Sequence, residues 1–314
     1  MHLASMPHDP TPLHDLQTTP LVPGLYLVAT PIGNLGDVTL RALDVLRRAD
    51  RIACEDTRHT QKLLNHFGIE TPTISCHEHN ERARATELIQ DIKAGKAIAV
   101  VSDAGMPGIS DPGGWLAGEA IAAGVPVIPI PGANAALSAL IASGLPAGEF
   151  HFIGFLPEKA GARRTRLEQL AAEPREAAKT LIFYEAPHRI LDALADLESV
   201  WGPSLKVVAA RELTKIHEEF LRGTVADVRS NLAARDRIRG EFVLLVEATL
   251  KSATTMGAPG LASETWERLS DRVARLQSES GIDEKEALKR LARELGQSKS
   301  EVYRELQRER ARRK

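Results

Sequence analysis

From Gly24 to Ala248, short runs of aliphatic and β-branched residues alternate with stretches whose apolar positions recur every three or four residues. The runs GLYLVAT, RIAC, TISC, AIAVV and VPVIPI each lead into a segment containing Gly, Pro, Asn or Asp. Between them, VTLRALDVLRRA, HTQKLLNHF and NERARATELIQDIKAG carry the helical period. This rhythm predicts a mostly parallel sheet with helices on both faces. A second set follows: FHFIGF, TLIFYE, KVVAAREL, EEFLRG and GEFVLLVEA. Its later runs lie close together, which predicts a mixed sheet with antiparallel members. A Gly-containing turn at Pro131–Asn134 opens a new helix and sets the boundary, giving α/β domains over 24–132 and 133–248.

Beyond Ala248 the segment TLKSATTMGAPGLAS has no periodicity and reads as a linker over 249–263. The pattern over 264–314 is helical throughout. Asp283–Glu286 and Ser298–Glu301 match the capping box that starts helices. Leu288, Leu291, Ala292 and Leu295 form one apolar stripe, Gly296 ends the helix, and Val302, Tyr303 and Leu306 face it. A small all-α domain with helix-turn-helix-like spacing is expected. Residues 1–23 hold few apolar anchors and, within the first 20, four prolines. They read as a disordered leader, with neither the basic start nor the apolar core of a signal peptide.

Hydrophobic residues make up 43% of the 314, enough to bury a core in each α/β domain. No apolar run reaches the roughly 20 residues that span a bilayer, and no membrane association is expected. Cys54 and Cys76 are too few for a disulfide framework, which fits the cytoplasm. A net charge of −2 argues against general nucleic-acid binding, so any such contact must come from local basic patches.

The strand AIAVV runs into Asp103–Gly114, where four glycines and two prolines fall within twelve residues. Such a loop lets its backbone approach a ligand closely, and it sits where open α/β sheets place ligands. The first strand's turn, Thr30–Gly36, is not a dinucleotide fingerprint, and no Walker Gly-Lys-Ser/Thr occurs. His77 and His79 with Glu78 and Glu81 fit no standard zinc spacing, and no metal is expected.

Four segments carry a resemblance: Ala29–Asp37 (ATPIGNLGD), Cys54–Thr60 (CEDTRHT), Val101–Gly108 (VSDAGMPG) and Tyr184–Arg189 (YEAPHR). Together they resemble the tetrapyrrole methylase superfamily, in particular its ribosomal RNA branch. The resemblance covers about Gly24 to Ala248, and the helical tail also looks like that branch. It implies two α/β domains with S-adenosylmethionine bound in the cleft between them, and a homodimer. It also implies methylation of a ribose 2′-hydroxyl, at a decoding-region cytidine of small-subunit (16S) ribosomal RNA, with that RNA or the small subunit as partner. Carried over by position, the methyl-donor site comprises Ile32, Asp103, Ala104, Gly105, Met106, Pro131, Gly132, Ala135, Ala136, Tyr184, Glu185, Leu213, Gly240 and Glu241.

A ribose hydroxyl is a poor nucleophile, so a general base or a pKa-lowering cation is useful. Candidates beside the implied cleft are Asp37, Glu55, Asp56, Arg58, His188 and Arg189, together with Glu185, Arg211, Glu212 and Lys215, the set taken as catalytic. Glu185 with Arg189, and Arg211 with Glu212, also suit structural ion pairing. Lys159, Arg163, Arg164 and Arg166 follow FHFIGF with no acid among them, and read as a flexible cationic loop for RNA phosphates. In the tail, Glu301, Glu305 and Glu309 make an acidic stripe, which favours an intrahelical ion ladder over DNA reading. Two other readings stay open. One is a methyltransferase for a tetrapyrrole or other small molecule; the other is a DNA-binding regulator that senses a nucleotide-like ligand.

Overall fold

Five strands pair in the order β3-β2-β4-β1-β5, all parallel: β1 (Gly24–Val28), β2 (Arg51–Cys54), β3 (Thr73–Ser75), β4 (Ala97–Val101) and β5 (Val127–Ile130). The computed structural model describes residues 20–77, 80–111, 113–173, 178–248, 269–294, 302–304 and 306. Helices α1 (Leu40–Arg48) and α2 (Thr57–His66) pack Leu46 and Leu64 on one face, against Val28 and Ile52. Helices α3 (Glu81–Lys93) and α4 (Gly114–Ala122) pack Leu88 and Leu116 on the other, against Ile98 and Val100. Both faces are covered, which is why these strands read as continuous apolar runs and not as alternating ones.

The connections fix where a ligand can sit. The chain leaves β1 toward α1 on one face and leaves neighbouring β4 toward α4 on the other. Their carboxyl ends therefore part, and a crevice opens between the two loops.

The second sheet has the order β6-β7-β10-β8-β9, from β6 (Phe150–Phe155), β7 (Lys179–Glu185), β8 (Lys206–Arg211), β9 (Glu219–Thr224) and β10 (Phe242–Ala248). Only β6 and β7 pair in parallel; the other neighbours are antiparallel, so the sheet is mixed as its spacing predicts. Along β10, Phe242, Leu244 and Val246 point into a cluster with α6 (Ala160–Ala172), α7 (Ile190–Trp201) and α8 (Val225–Ala233). The alternate residues Val243 and Leu245 meet Ala136, Ala139 and Leu140 of α5 (Ala135–Ser143). Helix α5 thus begins directly after the last strand of the first sheet and packs on the second.

By its internal contacts the chain divides into two compact units, Met1–Ser252 and Ala253–Lys314. In the second, α9 (Leu269–Ser280) and α10 (Glu284–Glu294) gather Val273, Leu288 and Leu291 around Val302 and Leu306. Asp283 caps α10 by accepting the Glu286 N–H at 2.8 Å, half of the expected capping box. Residues 1–19, the 249–263 linker and the second capping box at Ser298–Glu301 lie outside the described residues. Among the described residues no helix is long and apolar enough to cross a membrane.

One expectation is corrected here. Lys159–Arg166 is not a flexible loop: Lys159 caps α6, and the rest form its first turns. Arg163 is 4% exposed and donates to Asp196 at 2.8 Å, while Arg164 holds the other oxygen of Asp196 at 2.9 Å. Asp196 lies on α7, so the arginines staple two helices, and Arg163 is withdrawn from any phosphate. Removing Asp196 would strand a buried guanidinium. Asp196→Ala should cost about 3–5 kcal/mol in urea unfolding, whereas Arg163→Met with Asp196→Leu should recover most of it. A loss under about 1 kcal/mol for the single variant would mean that water already reaches the pair.

Candidate active site

Two loops meet across the crevice between β1 and β4. Thr30 N–H donates to the Gly105 carbonyl at 2.8 Å, and Gly105 N–H returns a bond to the Thr30 carbonyl at 3.1 Å. Gly105 adopts φ +79°, and a Cβ there would press to 3.3 Å from Ile32. The far end of the loop is held by buried Glu81, whose Oε1 accepts from Gly113 N–H at 2.9 Å and Leu116 N–H at 3.1 Å. That carboxylate satisfies donors around the start of α4. It is structural. Among the described residues no group of His, Cys, Asp and Glu could hold a metal ion; Glu78 and His79 lie outside them.

The loop so pinned forms one wall of a cavity of about 500 Å³, with α5 and the second sheet forming the others. Ile32, Ala104, Gly105, Met106, Ala135, Tyr184, Glu185, Leu213, Lys215 and Glu241 all line it. The structure therefore brings together most of the residues that the resemblance names. Asp103 instead lines an adjoining cavity of about 560 Å³, and its Oδ1 accepts the Asp56 N–H at 3.3 Å. Pro131, Gly132, Ala136 and Gly240 line neither cavity and act as framework. A Cβ on Gly132 would lie 2.8 Å from the Ala29 side chain, and Ala136 is buried on the face of α5 that packs against the second sheet.

The presumed catalytic set separates. Glu185 ends β7 at 1% exposure; its Oε1 accepts the Ala186 N–H at 2.9 Å and lies 3.2 Å from Arg189, while Oε2 has no partner. Burial pushes its pKa up. Lys215 donates to Glu212 and to Glu241, each at 2.9 Å, and Glu212 also accepts the Glu241 N–H at 3.0 Å. Burial raises the Glu212 pKa, but the bonds from Lys215 and the Glu241 N–H, with the positive charges of Lys215 and Arg211, together outweigh it and leave the carboxyl below its usual range. Arg211 does not reach the cleft. Its register partner across β8 and β9 is Glu219, which takes its Nε–H at 3.0 Å, and it lines neither cavity.

Three residues other than glycine have positive φ among those described: Ser110 at 61°, Glu212 at 52° and Thr214 at 66°. Ser110 lines the first cavity, and the other two flank Leu213, which also lines it. Strain of this kind persists only where surrounding structure enforces it, and it gathers here at the cleft. Across the cavity, β6 bulges between Phe152 and Gly154, and a Cβ on Gly154 would sit 3.0 Å from Ser110 Oγ. Phe155, 55% exposed, then stands with its ring 5.7 Å from that of Tyr184.

Residues 24–229 match the tetrapyrrole (corrin/porphyrin) methylases. The chain belongs to the tetrapyrrole methylase family. It is 50% identical over 281 residues to the ribosomal RNA small subunit methyltransferase I of Halalkalibacterium halodurans, spanning 89% of this chain and 93% of that protein. The Synechocystis protein of the same name is 46% identical over 279 residues, spanning 89% and 95%. Among solved structures, a Thermus thermophilus uroporphyrin-III C-methyltransferase complexed with S-adenyl homocysteine matches with a TM-score of 0.50. It is 20% identical and covers 71% of this chain and 96% of that one. The likeness to this last member is one of fold.

Within this family member, sequence reasoning passed over Asp111, which lines the first cavity. Its signal was weak: one acid inside a loop singled out for glycine. Burial, with the negative charges of Glu55 and Asp103 adding to it, pushes its carboxyl up to about 6 from 3.8. The folded protein thus holds this proton more tightly than the unfolded chain does. The stability gained is complete below about pH 3.8 and is lost as pH rises through about 6. Urea unfolding at successive pH values should show wild type losing stability relative to Asp111→Asn across that window. Parallel profiles would mean an ordinary carboxyl.

Proposed function

We propose that this chain transfers a methyl group from S-adenosylmethionine to a ribose 2′-hydroxyl of small-subunit ribosomal RNA, at a decoding-region cytidine. The observation that carries this reading is the cavity of about 500 Å³ at the β1–β4 crevice, together with the identity shared with proteins named for that RNA. The residues present suit the donor. Ala104, Gly105 and Ala135 keep side chains small, so backbone groups can meet an adenine edge, and apolar Ile32, Met106 and Leu213 cover flat surface. Asp111, Glu185 and Glu241 add carboxyl groups to a wall that would face a cationic sulfur.

When bound, the donor supplies an electrophilic methyl group carried on positively charged sulfur. The protein's part is alignment, exclusion of water and acceptance of a proton. Asp111 is assigned as proton acceptor: with a pKa of about 6 it is mostly ionised at neutral pH yet more basic than a surface carboxylate. Glu185 is the alternative acceptor, having one unpartnered oxygen. Lys215, shared between Glu212 and Glu241, positions the turn that carries Leu213. Lys159 and Arg166, clear of Asp196, keep a secondary RNA role. The helical unit 253–314 serves substrate docking, raising the local concentration of the cleft at its target. A homodimer would cover Leu137 and Ile141, which are 45% and 82% exposed one turn apart on α5. Free thiols at Cys54 and Cys76 suit the reducing cytoplasm, where ribosomes are assembled.

Incubation of labelled donor with small subunits from cells lacking the enzyme should yield one 2′-O-methylated cytidine by nucleoside mass spectrometry; label in base or protein would overturn the reading. Ala135→Leu should weaken donor binding by about 1–3 kcal/mol, roughly ten- to a hundredfold, with the melting temperature preserved. Unchanged calorimetric affinity would place the adenosine elsewhere.

A further inference from the structure

Helix α2 has an unusual composition. Its ten residues, TRHTQKLLNH, include no acid, and Arg58, His59, Lys62 and His66 are all exposed. Its buried residues are Thr60, which also lines the second cavity, and Leu64, which packs into the core of the first sheet. His59, Lys62 and His66 follow at intervals of three and four, so they share a stripe along roughly 10 Å of helix. All three line the second cavity, of about 560 Å³, together with Thr30, Ser102 and Asp103. That cavity shares Ile32, Ala104, Lys215 and Glu241 with the first, so the two adjoin along the β1–β4 crevice.

The charges around it are mostly accounted for. Asp56 is held by Arg58 at 3.0 Å, Glu241 by Lys215 at 2.9 Å, and Asp103 accepts a backbone bond from Asp56. Among the described residues Lys62 makes no ion pair, and no acid within α2 opposes it. At Lys159–Arg166, by contrast, Asp196 takes up two of the four cations. The polar stripe that adjoins the donor cavity on α2 thus carries one lysine and two exposed histidines.

We propose that the second cavity receives the acceptor nucleotide, and that His59, Lys62 and His66 hold the phosphates of the RNA strand that enters it. The inference rests on the RNA reading above and names the surface that reading requires. A polyanionic strand gains from the Lys62 ammonium by releasing counterions, with the imidazole N–H groups of His59 and His66 as donors to phosphate oxygens, so binding there must weaken with salt. The shared wall at Ala104 and Lys215 then sets acceptor and donor side by side, as in-line transfer demands.

The test is a triple variant, His59→Ala with Lys62→Ala and His66→Ala. It is compared with wild type and with Lys159→Ala/Arg166→Ala for binding to unmodified small-subunit ribosomal RNA, naked and as the assembled subunit, over a range of salt concentrations. The triple variant should bind at least about tenfold more weakly, with a log–log salt slope shallower by about one or more. Its melting temperature and calorimetric donor affinity should match wild type, and the comparison variant should change less. Wild-type slope and affinity in the triple variant would overturn the α2 placement alone, and so would lost donor affinity in a folded sample. Failure of wild type to bind RNA in either form would overturn the placement and the RNA reading together.

Discussion

The site depends on two backbone hydrogen bonds between Thr30 and Gly105. They tie the loops after β1 and β4 at a place where the sheet's connections diverge. Without them the Gly-rich loop would have unpaired donors and acceptors beside a crevice, and many conformations to choose from. With them, Ala104, Gly105 and Met106 become a wall of fixed shape. Glu81 secures the other end of the same loop from α3, so a segment of irregular backbone is anchored at both ends.

In the second half of the cleft, beside the paired strands of the second sheet, the turn after β8 is held by side chains. Lys215 joins Glu212 and Glu241, and its stem crosses Gly33, where a Cβ would meet Lys215 Cγ at 2.5 Å. The turn that this triad shapes carries positive φ at Glu212 and Thr214, on either side of Leu213. Backbone strain, two members of a three-way ion cluster and a pocket-lining side chain thus occur within four consecutive residues. The architecture consumes many of the charges near the cleft: Arg211 goes to Glu219, Arg163 and Arg164 to Asp196, Arg58 to Asp56. What the architecture leaves over is informative. Among the described residues, the groups left over near the cleft include Asp111, one oxygen of Glu185 and Lys62 of the α2 stripe.

Local pattern alone settled the strands and the layers, because runs such as AIAVV and FVLLVEA are apolar at every position that a doubly covered sheet buries. Chemistry-bearing loops were legible too, since Asp103–Gly114 needs backbone freedom that its glycines supply at Gly105, Gly108 and Gly113. Partners distant in sequence were not. Arg163 and Asp196 are 33 residues apart, and nothing in the run Lys159–Arg166 tells a solvated cation from a buried one. Asp111 looked ordinary until folding set it in low dielectric beside Glu55 and Asp103. The stripe His59–Lys62–His66 has helical spacing in the sequence, but only the tertiary structure sets it on a cavity next to Lys215. Periodicity reports which side of an element is buried; the electrostatic fate of a polar group depends on what the rest of the chain places opposite it.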